Sequence, residues 1–297
     1  MDVSLFIQFL INGIALGSLY ALISIGYTII YGVVGLINIA HGEFFMVAAF
    51  LTMWGVLQYN LPWYISFPIA AIITVLLGLL VEKVAYRPLR KMKTSAFIGA
   101  ISVSFLLQNL FVVVFTPRSK PFPHPALLDQ VINMGDVALP VVNIAIVLVS
   151  GLLFLLLSYI VTKTDIGRAM RAVSKDLEAS QLMGVDPNRI ISFAFILSTS
   201  FAAVGAFMYC SKFPYVDAFT GVIPGLKAFI GAVMGGIGSI PGAMVGGFIL
   251  GLGEIMLVAF FPELTSFRDI FAYLILILFL LFRPGGIFNV KAREEKV

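Results

Sequence analysis

Residues 162–188, TKTDIGRAMRAVSKDLEASQLMGVDPN, form the longest polar segment of a chain that otherwise reads as membrane helix. The segment holds eight charged residues, with Arg189 just past its end, yet Met170, Val173, Leu177, Leu182 and Met183 lie between the charges. That mixture predicts folded helix instead of slack linker. Thr164 or Asp165 can cap a first short helix, and Ser174 a second whose first turn holds Asp176 and Glu178, where the helix dipole favours acids. Gly184 fits a C-terminal cap, and Asp186 followed by Pro187 reads as N-cap and first residue of the next helix. A polar helix pair protruding from a membrane bundle has little of its own chain against which to bury Leu177, Leu182 and Met183. The expected partner is another protein.

Working outward, the 297 residues are 60% hydrophobic and only 11% charged, with a mean hydropathy of +1.05. Soluble domains carry about a quarter of their residues as charges, so an all-α integral membrane protein is expected. One cysteine, Cys210, excludes an intramolecular disulfide and a cysteine metal cluster, and neither His41 nor His124 has a second histidine at ligand spacing. The net charge of +4 does not indicate nucleic acid, because the basic residues flank hydrophobic spans and set topology there. The start, MDVSLFIQF, lacks a basic region before its apolar run, so no cleavable signal peptide is expected.

Residues 3–42 contain no charge at all, forty positions where about 20 suffice to cross a bilayer. This run reads as a first span at 5–31, an interruption at 35–42 and a second span at 43–58. Further spans follow at 63–81, 95–115, 141–161 and 190–211. The glycine-rich run at 228–253 divides near 238–241 into a short inward segment and a seventh span, and an eighth lies at 271–282 with a start that can reach back to Arg268. This gives about eight full transmembrane helices plus one short or discontinuous crossing, within a single transmembrane domain over 1–297. With the N-terminus outside and the C-terminus in the cytoplasm, fourteen Lys and Arg fall inside and five outside: Arg118, Lys120, Lys212, Lys227 and Arg268. The two interruptions, GLINIAHG at 35–42 and GGIGSIPG at 235–242, share Gly, Ile and Gly at one spacing. This internal repeat predicts two equivalent helix breaks in two halves of the bundle, the arrangement in which transporters build pathways from discontinuous helices.

Gly13, Gly17, Tyr20, Ser24, Tyr27 and Tyr31 recur at steps of four and three, so they share a helix face. Such a stripe lines a solute path or forms a small-residue packing seam, and both readings are open. Gly242, Gly246, Gly247 and Gly251 favour packing. Glu43, beside His41 at the first break, and Glu254, after 26 uncharged residues, are costly in hydrocarbon unless paired or wetted. For Glu43 the other reading is an acid at the first turn of the second span, stabilised by the helix dipole. A possible translocation path therefore comprises Tyr20, Ser24, Tyr27, Asn38, His41, Glu43 and Glu254. No Walker A motif, HExxH pair or nucleophile motif is present, so no enzyme is expected.

Glu178-Ala179-Ser180, three residues and Gly184 resemble the EAA loop by which permeases of ABC importers hold their ATPases. Gly167-Arg168-Ala169-Met170-Arg171-Ala172, the break Asn38-Ile39-Ala40-His41-Gly42, the glycine-rich stretch at 226–253 and the RPGG ending resemble the LivH-type branched-chain amino acid permeases over most of the chain. That resemblance implies an ATP-driven importer subunit of a bacterial or archaeal inner membrane carrying leucine, isoleucine and valine. It implies a homologous second permease of the LivM type, two cytoplasmic ATPases that use ATP and Mg, and an external substrate-binding protein. The coupling loop, 163–189, would act through Gly167, Arg168, Glu178, Ala179, Leu182, Met183 and Gly184. Urea and short-amide importers use similar permeases. A gradient-driven carrier titrating His41, Glu43 or Glu254, or a channel, is the alternative from another class.

Overall fold

The uncharged N-terminal run folds as two helices, α1 (Val3–Val34) and α2 (His41–Tyr59), in the computed structural model, which describes residues 2–90, 92–283 and 285–288. Gly35 ends α1 in the left-handed conformation, at φ 73, and its N–H donates to the Tyr31 carbonyl at 2.8 Å. α3 (Trp63–Val81) continues through a π-helical turn, Glu82–Tyr86, into α4 (Arg87–Leu89). α5 (Lys93–Phe115) and α6 (Val141–Lys163) bracket a proline-rich loop. The polar segment forms α7 (Asp165–Lys175) and α8 (Leu177–Leu182), and α9 (Pro187–Lys212) follows. The glycine-rich run divides into α10 (Val222–Gly235) and α11 (Ile240–Phe260), and α12 (Arg268–Phe282) begins at Arg268.

Among the described residues, seven helices are long and apolar enough to cross a membrane. α2 adds a helix of 19 residues, about 28 Å of rise, and is less apolar, with His41 and Glu43 in its first turn and Gln58 in its last. The 14-residue α10 is the short crossing. The chain is thus an all-α, multi-pass membrane protein.

α1 is the axis of the bundle. Every residue from Ala15 to Ile30 is buried, as expected of a helix apolar on all sides, and it packs against α6, α9, α10 and α11. Small residues make the closest of these contacts. A Cβ at Gly251 would lie 2.6 Å from the Gly17 Cα, one at Gly247 2.7 Å from the Ala21 Cα, and one at Gly246 2.1 Å from the Gly231 carbonyl. Without a hydrophobic drive between helices in lipid, such backbone approach supplies the dispersion energy of association. Gly13 and Gly17 are therefore packing residues. α12 lies at the opposite extreme, with Ala272 its one buried residue.

Several expectations are revised. Ser174 does not cap α8: its hydroxyl donates to the Arg171 carbonyl at 2.9 Å, and Asp176 caps instead, accepting from the N–H groups of Glu178 and Ala179 at 3.0 Å each. The Asp176 carboxylate, immediately before the helix, reaches two orphan donors at once. The loop between α5 and α6 contains an antiparallel hairpin, β2 (Val131–Met134) with β3 (Val137–Pro140), turning at Gly135 and Asp136, and its β1 (Lys120–Pro121) pairs antiparallel with β4 (Tyr215–Val216) in the connection between α9 and α10. Lys227 is not in an external loop but buried within α10. Three of the C-terminal basic residues, Lys291, Arg293 and Lys296, lie outside the described residues.

The two interruptions both separate consecutive helices, at 35–40 and 236–239, and they lie close together: a Cβ at Gly32 would meet the Gly238 carbonyl at 3.4 Å. The helix-ending residues are Gly35 and Gly236, so the repeat is offset by one position from the aligned Gly235. Ile287 and Phe288 return to donate their N–H groups to the carbonyls of Met234 and Gly235, which satisfies backbone acceptors at the end of α10.

Candidate functional site

The start of α2, the start of α10 and one face of α5 enclose a cavity of about 390 Å³. Its wall runs along α5 from Phe97, near the start of that helix, to Gln108, about 16 Å further along the axis. The remaining wall is mostly apolar, with Ile37, Ile39, Val222, Leu226 and Phe229, and Tyr27 closes one side. Gly42 and Gly221 allow the two helix starts to meet, since a Cβ at Gly221 would lie 1.8 Å from the Gly42 carbonyl.

Glu43 projects from the first turn of α2 into this cavity and is 2% exposed. Its Oε1 accepts hydrogen bonds from Ser104 Oγ at 2.8 Å and Gln108 Nε2 at 2.7 Å. Its Oε2 has no hydrogen-bond partner among the described residues. The neighbouring His41 is fully buried behind it, its ring edge-on to Tyr27 with centroids 4.5 Å apart. Ser198 Oγ donates to the Gly26 carbonyl at 2.8 Å, so His41 Nδ1, 3.1 Å away, is the donor in its contact with that hydroxyl.

The other path candidates lie elsewhere. Asn38, in the break, accepts a 2.6 Å hydrogen bond from Tyr86 Oη and so ties the break to the π-helical turn after α3. That turn is itself fixed to α9, because Glu82, fully buried, takes both a bidentate contact from Arg87 and a 2.9 Å hydrogen bond from Ser192. Ser24 donates to the Ala228 carbonyl at 2.6 Å, between α1 and α10. Tyr20 donates to Glu254 Oε2 at 3.2 Å. Glu254 Oε1 lies 2.7 Å from Lys227 Nζ, which also lies 2.7 Å from Asp269 Oδ1, and Arg268 completes the cluster at 3.5 Å from Glu254. Two cations and two carboxylates thus balance, with Lys227 and Glu254 buried and Arg268 and Asp269 half exposed, joining α1, α10, α11 and α12. Of the seven candidates only Tyr27 and Glu43 line the cavity, with His41 packed behind them.

The polar segment has a firm root and a bare tip. Thr164 caps α7 by accepting from the Gly167 N–H at 3.1 Å, and Met170 and Val173 are buried against the bundle. Gly167 is forced by proximity, since a Cβ there would lie 2.3 Å from the carbonyls of Ile160 and Val161. Arg168 pairs with Asp165 and Arg171 donates to the Val161 carbonyl. Leu177 is partly buried against its own core, not left bare. Gly184, at φ 85, ends α8 with the N–H of Val185 on the Ser180 carbonyl and its own N–H on the Gln181 carbonyl, the paired bonds of a Schellman cap. Glu178 and Ala179 are exposed on α8, and Leu182 and Met183 stand out beside the cap, 88% and 85% exposed.

Ser104, Gln108, Ser198 and Lys227 were not singled out from the sequence. Ser104 and Gln108 are polar residues four apart in an apolar helix, which places them on one face. Lys227 and Glu254 are the only charges between Asp217 and Glu263, opposite in sign, a pattern that predicts a buried pair.

A family profile described as "Branched-chain amino acid transport system / permease component" matches residues 9–280. The chain is 38% identical to the high-affinity branched-chain amino acid transport system permease protein BraD of Pseudomonas aeruginosa, with 98% of each chain covered. It is 37% identical to the corresponding LivH protein of Escherichia coli K12, again with 98% of each covered, and 27% identical to the ribose import permease protein RbsC of Haemophilus influenzae over 79% of this chain and 72% of that one. No solved structure matches. With a profile spanning nearly all of its helices and relatives aligned almost end to end, the chain belongs to the branched-chain amino acid transport system permease family.

Proposed function

We propose that this chain is the translocating permease subunit of an ATP-driven importer for leucine, isoleucine and valine, in a bacterial or archaeal inner membrane. The observation that carries the reading is the cytoplasmic helix pair α7–α8, rooted in the bundle yet presenting Leu182 and Met183 almost fully to water. A gradient-driven carrier needs no such tip. An ATPase-coupled permease needs a surface that a separate motor protein can grip, and two large apolar side chains beside a rigid cap form one. Movement there reaches the cavity through packed elements: α7 touches α1 and α9, and α9 carries Ser198, bonded to His41 next to Glu43.

The assembly comprises a second, homologous permease of the LivM type, two cytoplasmic ATPases that bind ATP and Mg, and an external substrate-binding protein. The relatives' names support the cargo. In mild detergent, affinity purification of this chain from its native membrane is expected to bring ATPase subunits with it, and reconstituted uptake should run on ATP with no pH gradient. Uptake that needs a gradient, with no ATPase recovered, would instead support a carrier titrating Glu43.

Orientation has a separate test. Cys210 is fully buried, which makes the wild type a silent background for thiol labelling. Asp136→Cys, in the β2–β3 turn, should react with an impermeant maleimide from outside intact cells, whereas Gln181→Cys on α8 should react only after the membrane is opened. Reversed labelling would place the N-terminus inside and sink the assignment.

A further inference from the structure

From the half-satisfied carboxylate in the cavity we infer that Glu43 is the receptor for the ammonium group of a zwitterionic cargo. This rests on the importer reading and names what its pathway recognises. Glu43 is buried at the mouth of α2, with one oxygen saturated by Ser104 and Gln108 and the other, Oε2, bare. No basic side chain pairs with it among the described residues, in contrast to Glu254 and Glu82, each of which meets a cation. A carboxylate held away from water without a counter-ion is costly, and the cost is relieved when a cation arrives.

The cavity selects which cation. Ser104 and Gln108 hold the carboxylate rotamer from the α5 side, so that the free oxygen is available for a charge-assisted hydrogen bond. Ile37, Ile39, Leu226 and Phe229 leave an apolar wall for an aliphatic side chain, and the volume of about 390 Å³ lies in the range of small-molecule sites, about 300–1,000 Å³. Gly221 and Val222 bring the start of the 14-residue α10 to the same cavity. The partial positive charge of that helix end meets the carboxylate of the same molecule. Ribose, urea and simple amides can offer that oxygen only neutral O–H or N–H donors, which satisfy a hydrogen bond but leave the buried charge without a counter-ion. The geometry therefore favours α-amino acids over the neutral cargoes of similar permeases.

The test uses the intact assembly of permeases and ATPases in lipid nanodiscs without the external binding protein, reading equilibrium binding and thermal shift. Three probes separate the groups: leucine, leucinol, which keeps the ammonium but not the carboxylate, and 4-methylpentanoate, which keeps the carboxylate but not the ammonium. Leucine and leucinol are expected to bind the wild type and raise its melting temperature, and 4-methylpentanoate is not. Glu43→Gln, which keeps the shape and removes the charge, should weaken leucine at least about tenfold, with Glu43→Asp between. Equal binding of leucine and 4-methylpentanoate, unchanged affinity in Glu43→Gln, or no leucine binding to the wild type overturns the inference. The probe comparison needs no variant, so it decides the matter even if Glu43→Gln assembles poorly. ATPase subunits that remain bound while these outcomes appear would remove the recognition role alone, whereas their absence from the wild type would remove the importer reading.

Discussion

Lys227→Met is expected to destabilise the permease by about 3–5 kcal/mol, the usual result of removing one partner from a buried ion pair. Lys227 and Glu254 side chains are 1% and 3% exposed, and Nζ bridges Glu254 and Asp269 at 2.7 Å each. Without the ammonium, Glu254 retains Arg268 at 3.5 Å and the Tyr20 hydroxyl, which leaves two carboxylates facing one guanidinium. Adding Glu254→Met should recover much of the loss, because an apolar pair of similar size avoids desolvation altogether. Thermal unfolding of the purified subunit in detergent reads both variants. A wild-type melting temperature for Lys227→Met would show that the cluster does not hold α10 to α11 and α12.

The second large effect concerns assembly without stability. Leu182→Ala together with Met183→Ala removes side chains that are 88% and 85% exposed, so the subunit should insert and melt as the wild type does, within about 0.5 kcal/mol. Its grip on the ATPases should nevertheless fall by about thirtyfold or more, the cost of truncating a hot spot worth at least about 2 kcal/mol. Gly184→Val should add to that loss, since its φ of 85 is poorly tolerated by a β-branched residue and the Schellman cap turns the tip. ATPase retention and substrate-stimulated hydrolysis are the measurements. Wild-type values for both in the combined variant would mean that α8 is not the coupling element.

Helix positions were legible because hydrocarbon is an unforgiving solvent: α3 begins at Trp63 and ends at Val81 as expected, and Asp186-Pro187 opens α9. Caps were nearly as readable, except where Ser174 and Asp176 competed and the residue adjoining the helix prevailed. The site was less so. Glu43 and Tyr27 were visible as unusual residues, but the cavity depends on α5 and α10 meeting α2, and no local pattern specifies which helices are neighbours. Ser104 and Gln108 therefore acquire meaning only through Glu43. Glu254 looked equally exceptional and turned out to be paired, because its cation lies 27 positions earlier on another helix.

The burial of α1 bears on how the protein is made. α1 leaves the ribosome well before α9, α10 and α11, which largely enclose it, and the Tyr20 to Glu254 hydrogen bond spans 234 positions. Its small-residue face, with Gly17 and Ala21, meets nothing but lipid until the final third of the chain has been threaded. Insertion and folding are consequently separate events here, with the first span waiting in the bilayer as an unpaired helix while its neighbours are synthesised. A ribosome that stalls before α11 leaves behind a chain whose innermost helix still turns its Gly17 and Ala21 face to lipid.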